Sequence, residues 1–398
     1  MEVPGWFTSE FFEKALRREK GAEDISVKLK DVSRTVNAGT NYSSTLYRVT
    51  LVVSGSREVS LVVKTPPSLR FLKEHVVREG VFQKEAKMYR EILPSMRQVA
   101  LERGSGLLSE PLAAGAYDSP RRHAVIMDDL AAQGMSTVDQ RRGLDHAHCL
   151  VSLRALARFH ALSAAVLEQS PGSLDDYLEG YFVPERRDEV KACLDAGFAE
   201  MASLVETWHG FEDFAPRLRV VGGAVCDVVI RSRDVGALEL PVLTHGEFWA
   251  GNLMFGYRAD SGKVCKARFV DFQSCRLGSP VLDLHCFLTT SPCDAVRAQG
   301  TGDLLKAYHE EMCRAMRTVG CGHRVITLDQ LRRDVEDSAL YSLLVACTFL
   351  NMVLAEPGDL DHLTEENLGP AVDRTRSNPA YRERVQKLLL ALSDDGLL

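Results

Sequence analysis

No stretch of this sequence is basic enough to track a phosphate backbone. The 48 lysines and arginines are scattered among 55 aspartates and glutamates, for a net charge of −7, which excludes a general nucleic-acid partner. The pairs Arg121-Arg122, Arg141-Arg142 and Arg332-Arg333 read as solvated surface. The ten cysteines contain no C-x-x-C and no zinc-like spacing. They read as small apolar residues in a reducing compartment, which makes the expected location cytoplasmic. Apolar runs are short. The longest, YSLLVACTFLNMVL from Tyr341 to Leu354, falls below the roughly 20 residues a membrane-spanning helix needs and reads as a buried helix. The first residues, MEVPGWFTSEFFEKALRREK, carry acids and lack the apolar centre of a signal peptide, so they read as an amphipathic helix. Repeats and low-complexity tracts are absent. Absent too are G-x-x-x-x-G-K-[ST], a strand followed by G-x-G-x-x-G, G-x-S-x-G and H-E-x-x-H, which removes the folds those motifs announce.

What is present divides in two. A chain of 398 residues exceeds the usual single core, so two packed lobes are expected. The first part is strand-rich: LYRVTLVV (46–53) and EVSLVVK (58–64) are β-branched runs joined by Ser54-Gly55-Ser56, a hairpin signature. Alternation puts Val59, Leu61 and Val63 on one face and Ser60, Val62 and Lys64 on the other, so Lys64 points away from the most apolar face. A helix is expected over 69–93. Val81, Phe82, Met88, Tyr89 and Ile92 form its apolar stripe, and Glu85 lies inside that stripe, where a carboxylate needs a partner. HAVIM (123–127) reads as a short buried strand before a looser stretch containing Gly134. Beyond it the pattern is mainly helical, over 146–168, 184–208, 301–317, 328–354 and 378–393, with strand-and-loop units at 241–257 and 266–273. Strands first and helices after make the class α+β.

Polar residues interrupt this pattern in a definite order. NAGTNYSS (37–44) is a glycine-containing turn before a strand; Lys64 and Glu85 follow, then His245-Gly246-Glu247 with Asn252, then Asp271-Phe272-Gln273. Phosphoryl transfer needs these parts: a turn rich in N–H groups over the phosphates, a strand lysine to neutralise them, a helix glutamate to hold that lysine, an amide and a carboxylate for metal, and a further carboxylate to orient the attacking hydroxyl.

With GTNYSSTLYRV, the ExxxY of Glu85 and Tyr89 near Leu93-Pro94, FHAL (159–162), HGEFWAGNLMF and VDFQSCRLGSPVLDL, the chain resembles the ecdysteroid kinase-like family within the wider choline kinase and aminoglycoside phosphotransferase group. The matches run in order from about residue 37 to 288. The resemblance implies a bilobal protein kinase-like fold. Its N-terminal, nucleotide-binding lobe would take residues 1–127, a hinge 128–134, and a larger C-terminal lobe with catalytic loop and acceptor site 135–398. It implies an ATP- and Mg²⁺-dependent kinase acting on a hydroxyl of a lipophilic small molecule, an ecdysteroid or a related steroid or xenobiotic alcohol. Choline, an aminoglycoside, or nucleotide and steroid binding with weakened turnover are the alternatives. Position by position, Gly39, Thr40, Asn41, Tyr42 and Ser43 would cover the phosphates, and Lys64, paired with Glu85, would contact them. Met127, Asp128, Asp129 and Leu130 would flank the adenine through backbone groups, and Asn252 and Asp271 would hold magnesium. Glu247 would orient the acceptor.

One departure stands out. The family has Asp where this chain has Glu247, and the extra methylene extends the carboxylate by about 1.5 Å, so reduced or re-tuned activity is expected. His245 reads as a structural support of the catalytic loop, Asp283 as its anchor, and His160 as a satisfied core histidine. Phe248 and Trp249 either touch the acceptor or pack the core. Acids at Asp175, Asp176, Glu179 and Glu185 would suit a cationic acceptor if they converged. Oligomeric state is not encoded in any pattern seen here.

Overall fold

The computed structural model describes residues 3–20, 25–35, 44–67, 69–103, 106, 108, 110–178, 182–356, 359, 364, 366 and 368–398. Helix α1 (Ser9–Lys20) precedes β1 (Val27–Arg34), β2 (Thr45–Val53) and β3 (Arg57–Thr65). The β-branched runs pair antiparallel with Val49 opposite Leu61, and the tight turn between them is made by Ser54 and Gly55 in the left-handed region, at φ 49° and 87°. With β4 (Ala116–Tyr117) and β5 (Val125–Asp128) they form a five-stranded sheet ordered β1-β2-β3-β5-β4. The alternation in β3 sorts the sheet's two faces. Leu61 and Val63 pack with Phe7, Phe11 and Phe12 of the N-terminal segment, while Val62 and Lys64 face the cleft beneath the sheet.

The helix expected over 69–93 is broken. Gly80, at φ 63°, separates α2 (Arg70–Arg78) from α3 (Val81–Lys87), because the left-handed conformation ends a right-handed helix at a residue that tolerates it. A π turn, Met88–Ile92, follows and leads into α4 (Leu93–Glu102). Pro94 has no N–H to give to residue 90; the chain widens just before it, and Leu93 N–H reaches Met88 O instead.

The second half is mainly helical. Asp145 caps α5 (His146–Gln169) by accepting His148 N–H at 2.9 Å. Among the described helices α5 alone is long and apolar enough to cross a bilayer, but 72% of its apolar window is inside the protein, as befits a helix at the centre of the largest core cluster. Helices α6 (Arg187–Val205), α7 (Phe214–Leu218) and α8 (Gly222–Arg231) form a second core with the later Leu343, Leu344, Tyr381 and Leu389. Strand β6 (Val242–Thr244) pairs with β9 (Arg276–Gly278), and β7 (Leu253–Tyr257) with β8 (Val264–Phe269). Then come α9 (Val281–Thr290), α10 (Asp294–Ala298), α11 (Gly302–Thr318) and α12 (Leu328–Asp337). The helix expected over 328–354 is interrupted by a turn at 338–340; beyond it α13 (Tyr341–Val345) runs through a π turn, Ala346–Leu350, into α14 (Asn351–Val353). Helices α15 (Leu368–Arg376) and α16 (Pro379–Asp394) close the chain.

Two stitches tie the sheet to the helical part. Ser136 and Phe255 exchange backbone hydrogen bonds of 3.0 and 2.8 Å, and Phe269 N–H donates to Leu112 O at 2.7 Å. The segment after β5 is thereby held against β7 and the segment before β4 against β8, the strands that flank the loops bearing Asn252 and Asp271.

Candidate active site

The functional residues lie at the ends of short strands. Strand β6 delivers His245, Gly246 and Glu247; the turn Ala250–Asn252 delivers Asn252 into β7; β8 ends at Phe269, just before Asp271. Asp271 sits at φ 68°, ψ 66°, a backbone region that a non-glycine residue occupies only where its surroundings hold it.

Lys64, Glu85 and Asp271 meet although they are far apart in sequence. Lys64 Nζ donates to Glu85 Oε2 at 2.7 Å, to Asp271 Oδ1 at 2.6 Å and to Gln273 Oε1 at 3.4 Å. Glu85 is fully buried and Lys64 is 2% exposed, so the apolar stripe of α3 carries a carboxylate because a strand lysine meets it there. Burial works against the Lys64 ammonium, but Asp271 and Glu85 outweigh it and hold its pKa above the usual lysine value. Burial pushes the Glu85 carboxyl up to about 7, Lys64 opposing and Asp271 adding to the rise.

Glu247 is partly buried. Its Oε1 accepts from Ser274 Oγ, and Gln273 Nε2 approaches both carboxylate oxygens at 3.5 Å. Burial, and then the charge of Asp271, push it up to about 7; Ser274, Lys64 and Gln273 pull the other way. With three carboxylates around one ammonium, the cluster has an excess of negative charge.

The loop from His245 to Asn252 is fixed at each end and in the middle. Asp283 accepts His245 N–H at 2.7 Å through Oδ2 and Gly246 N–H at 2.9 Å through Oδ1. His160 Nε2 lies 3.0 Å from Asp283 Oδ2, and His160 Nδ1 lies 2.8 Å from the Tyr308 hydroxyl, so this core histidine braces the anchor. His245 Nε2 faces Val270 O at 3.1 Å and must donate to it, since a carbonyl only accepts; burial depresses the pKa of His245 and keeps the ring neutral. Ala250 N–H donates to Ser291 Oγ at 3.0 Å. Asn252 Nδ2 donates to Glu247 O at 3.0 Å, which commits the amide's NH₂ end to the loop and leaves Oδ1 as its acceptor end. Gly246 has φ 84°, and a Cβ there would lie 2.2 Å from Ser274 O, so the loop and the Asp271–Ser274 segment touch through a glycine.

A cavity of about 320 Å³ opens beside these groups, lined by Lys64, Glu85, Asn252 and Asp271 at one end and by Met127, Asp128, Asp129 and Leu130 at the other. The acidic side chains of that segment are already engaged. Asp128 Oδ1 accepts from the Tyr117 hydroxyl at 2.7 Å, and Asp129 Oδ2 accepts from Arg48 Nε at 2.6 Å and Ser60 Oγ at 2.8 Å. What the segment offers the cavity is main chain and the apolar Met127 and Leu130.

The remaining candidates separate. Gly39, Thr40, Asn41, Tyr42 and Ser43 lie outside the described residues, as does Glu179. Asp176 is spent on Lys87 at 2.5 Å and is 59% exposed in its side chain, and Asp175 and Glu185 are exposed as well, so these acids do not line the site. Trp249 packs with Cys286, Val345 and Val353, and Phe248 is in the main core, so both favour the packing alternative. Sequence reasoning passed over Ser274 and Tyr308. Ser274 was within reach, being three residues after Asp271; nothing local marks Tyr308.

Comparison with known proteins gives a family and a set of structures. The family model described as "Ecdysteroid kinase-like family" matches residues 38–321. Similar solved structures include macrolide 2'-phosphotransferase from Brachybacterium faecium (14% identity, 83% of this chain and 97% of that one, TM-score 0.39) and choline kinase from Streptococcus pneumoniae (10% identity, 96% and 99%, TM-score 0.40). A third is the GDP complex of aminoglycoside 2'-phosphotransferase-IIIa, at 11% identity, 97% and 98% coverage and a TM-score of 0.39. No curated protein matches.

Proposed function

The chain belongs to the ecdysteroid kinase-like family, small-molecule phosphotransferases of the kinase-like fold, and we propose that it transfers the γ-phosphoryl group of ATP to a hydroxyl of a lipophilic small molecule. The family name supports ecdysteroids and related steroid or xenobiotic alcohols as the acceptor class. The observation that carries the reading is the buried cluster in which Lys64 bridges Glu85 and Asp271 at 2.7 and 2.6 Å. A fully desolvated lysine held between carboxylates is a poor means of stabilising a fold and a good means of placing a charge on a phosphate at the end of a cavity.

Each residue then has a task. The main chain of Met127 to Leu130 receives the base, and Lys64, held by Glu85, meets the phosphates. Asp271 and Asn252 suit magnesium. They offer one carboxylate and one amide oxygen beside an excess of negative charge, and magnesium is bound through one or two such ligands with phosphates and water completing its shell. Magnesium bound there would supply charge neutralisation across the β- and γ-phosphates.

Glu247 orients the acceptor hydroxyl and takes its proton. As the acceptor oxygen bonds to the γ-phosphorus, the bond from that phosphorus to the ADP oxygen breaks, and the hydroxyl proton passes to the Glu247 carboxylate. A carboxyl pushed up to about 7 is matched to that exchange at neutral pH. His245, Asp283 and His160 hold the loop from behind.

The test is ATP- and Mg²⁺-dependent phosphorylation of a panel of ecdysteroids, other steroids, choline and aminoglycosides, read by mass spectrometry. The expected result is a gain of one phosphoryl group on a steroid alcohol, abolished by Asp271→Ala. Turnover of the panel unchanged in Asp271→Ala would refute the assignment of this cluster, and phosphorylation of choline or an aminoglycoside alone would refute the acceptor class.

A further inference from the structure

A second cavity, of about 220 Å³, shares the catalytic loop. Gly246 and Ser274 line it, and neither lines the cavity beside Lys64. Gly246 precedes Glu247 in the chain and Ser274 donates to its carboxylate, so the cavity borders the residues on which the Glu247 side chain rests. The walls are apolar, formed by Phe182, Val229, Leu282, Tyr341, Leu344 and Phe349. The π turn Ala346–Leu350 carries Thr348 and Phe349 into this wall, a device found often at functional sites.

Two arginines, Arg233 and Arg276, line this otherwise apolar cavity. Among the described residues no carboxylate lies within ion-pair distance of either. Arg233 Nε has no hydrogen-bond partner, and its Nη2 makes a 3.4 Å contact to Leu178 O; Arg276 Nη1 donates to Cys275 O at 2.6 Å. Burial, with the charge of Arg276 next, brings the Arg233 pKa down to about 10, and burial lowers that of Arg276 too. The site is built to keep Arg233 there: a Cβ on Gly278 would lie 2.9 Å from Ser232 O and 3.4 Å from Arg233 Cδ. Two like charges brought together at the edge of an apolar cavity, with donors unspent, are complementary to an oxyanion and repel a cation.

We propose that this cavity is the acceptor site, and that the acceptor is an apolar alcohol bearing an oxyanion, held by Arg233 and Arg276 with its hydroxyl turned toward Glu247. This rests on the kinase reading and narrows its substrate class. The reaction balances as before: the acceptor oxygen gains the phosphoryl group, ADP leaves, and the hydroxyl proton goes to Glu247. A volume of about 220 Å³ is below the roughly 300 Å³ at which pockets enclose drug-sized ligands, so the cavity takes a small acceptor whole or one end of a polycyclic one.

The probe set is a medium-chain ω-hydroxy carboxylate, its methyl ester and the matching ω-hydroxy quaternary ammonium. The ω-hydroxyalkyl sulfate and phosphate of the same length separate the oxyanion classes. Binding is measured by calorimetry on the full chain, and turnover with Mg-ATP by mass spectrometry. At least one oxyanion should bind about tenfold or more tightly than the ester, as one charge-assisted contact implies, and the ammonium should bind more weakly still. Arg233→Gln and Arg276→Gln should each remove that preference while nucleotide binding persists, and Thr348→Glu should invert it. Should Arg276→Gln fail to fold, Arg276→Lys keeps the charge but loses the fork and should lose part of the preference. Ester and ammonium binding as well as the oxyanions, or a preference untouched in the arginine variants, overturns the inference even if neutral alcohols are phosphorylated, in which case the kinase reading stands. Tight oxyanion binding without phosphorylation of any probe overturns the acceptor assignment and leaves an oxyanion-binding site, while the kinase reading is decided by the steroid panel.

Discussion

Replacing Ser274 with alanine should move the acid limb of the pH–rate profile to higher pH. The carboxyl of Glu247 is pushed up to about 7 by burial and by Asp271, and the Ser274 hydroxyl is the first of the groups that pull it back. A hydrogen bond to a charged group contributes about 1.5–3 kcal/mol, and one pKa unit corresponds to about 1.4 kcal/mol. Loss of the hydroxyl therefore raises the carboxyl by about one to two units. The lower end is expected, because Glu247 is only partly buried and water replaces some of the lost interaction. The assay is single-turnover phosphoryl transfer between pH 5.5 and 9.5, so that product release does not mask the chemical step. Below its midpoint the wild-type rate should climb about tenfold per pH unit; Ser274→Ala should show the same slope with the midpoint about one unit higher. Magnesium held by Asn252 and Asp271 would lower both midpoints, so the difference between them is the readout. Glu247→Gln should lose the limb altogether and fall by about 10²- to 10⁴-fold. Coincident midpoints in wild type and Ser274→Ala, or a limb that survives in Glu247→Gln, would show that another group takes the proton.

Other perturbations test the supports. Lys64→Met leaves Glu85 and Asp271 buried without their cation, a loss of about 3–5 kcal/mol of stability to be read from urea midpoints. Adding Glu85→Leu should recover much of the stability and none of the nucleotide binding. Asp283→Asn has a single oxygen for the two N–H groups of His245 and Gly246, so one is left unpaired at about 1–3 kcal/mol, and calorimetric unfolding should show it along with a fall in rate. Glu247 has a folded pKa of about 7 against an ordinary 4.5, so protonation favours the folded state between those values, and the stability it supports is lost as pH rises through about 7. The unfolding free energy of Glu247→Gln should therefore gain on that of wild type from pH 5 to pH 8 in metal-free buffer; a constant difference would refute the shift.

Much of this site was legible because period and chemistry disagreed at a few positions. Glu85 breaks an apolar stripe and Lys64 falls on the less apolar face of β3, and a charge in either place needs a reason. His245 to Asn252 and Asp271 to Ser274 end short strands with polar residues that a turn alone does not require. The breaks at Gly80 and at 338–340 were harder to read. A glycine within a helical pattern signals a break only through its φ, and the widened turns at Met88–Ile92 and Ala346–Leu350 come from how neighbouring elements seat. Arg233 and Arg276 were invisible for a related reason: arginines that face a cavity and arginines that face water look the same until β9, α8 and α13 are brought together. His160 was read correctly as a core histidine, but its link from Tyr308 to Asp283 is set by α5, α9 and α11, distant in sequence.

The Glu at 247 then takes on a different meaning from a weakened Asp. Its backbone is held by Asp283 through its neighbours, by Asn252 through its own carbonyl, and by the contact of Gly246 with Ser274, so the loop has little freedom to re-aim a shorter side chain. The longer arm reaches Gln273 and Ser274, two and three residues after Asp271, and so the carboxylate is registered to the residue proposed to hold the metal. Glu247→Asp pulls the carboxylate back by about 1.5 Å and breaks the Ser274 contact. Displacements near 1 Å from a reacting geometry can cost about 10²-fold, so the Asp variant should be slower than wild type by about tenfold or more in single turnover, with nucleotide affinity unchanged. Adding Ser274→Ala to it should cost little further, because the contact is already gone. An Asp variant as fast as wild type, or faster, would mean that the Ser274 contact restrains the carboxylate without serving transfer, and that Glu247 does weaken this enzyme.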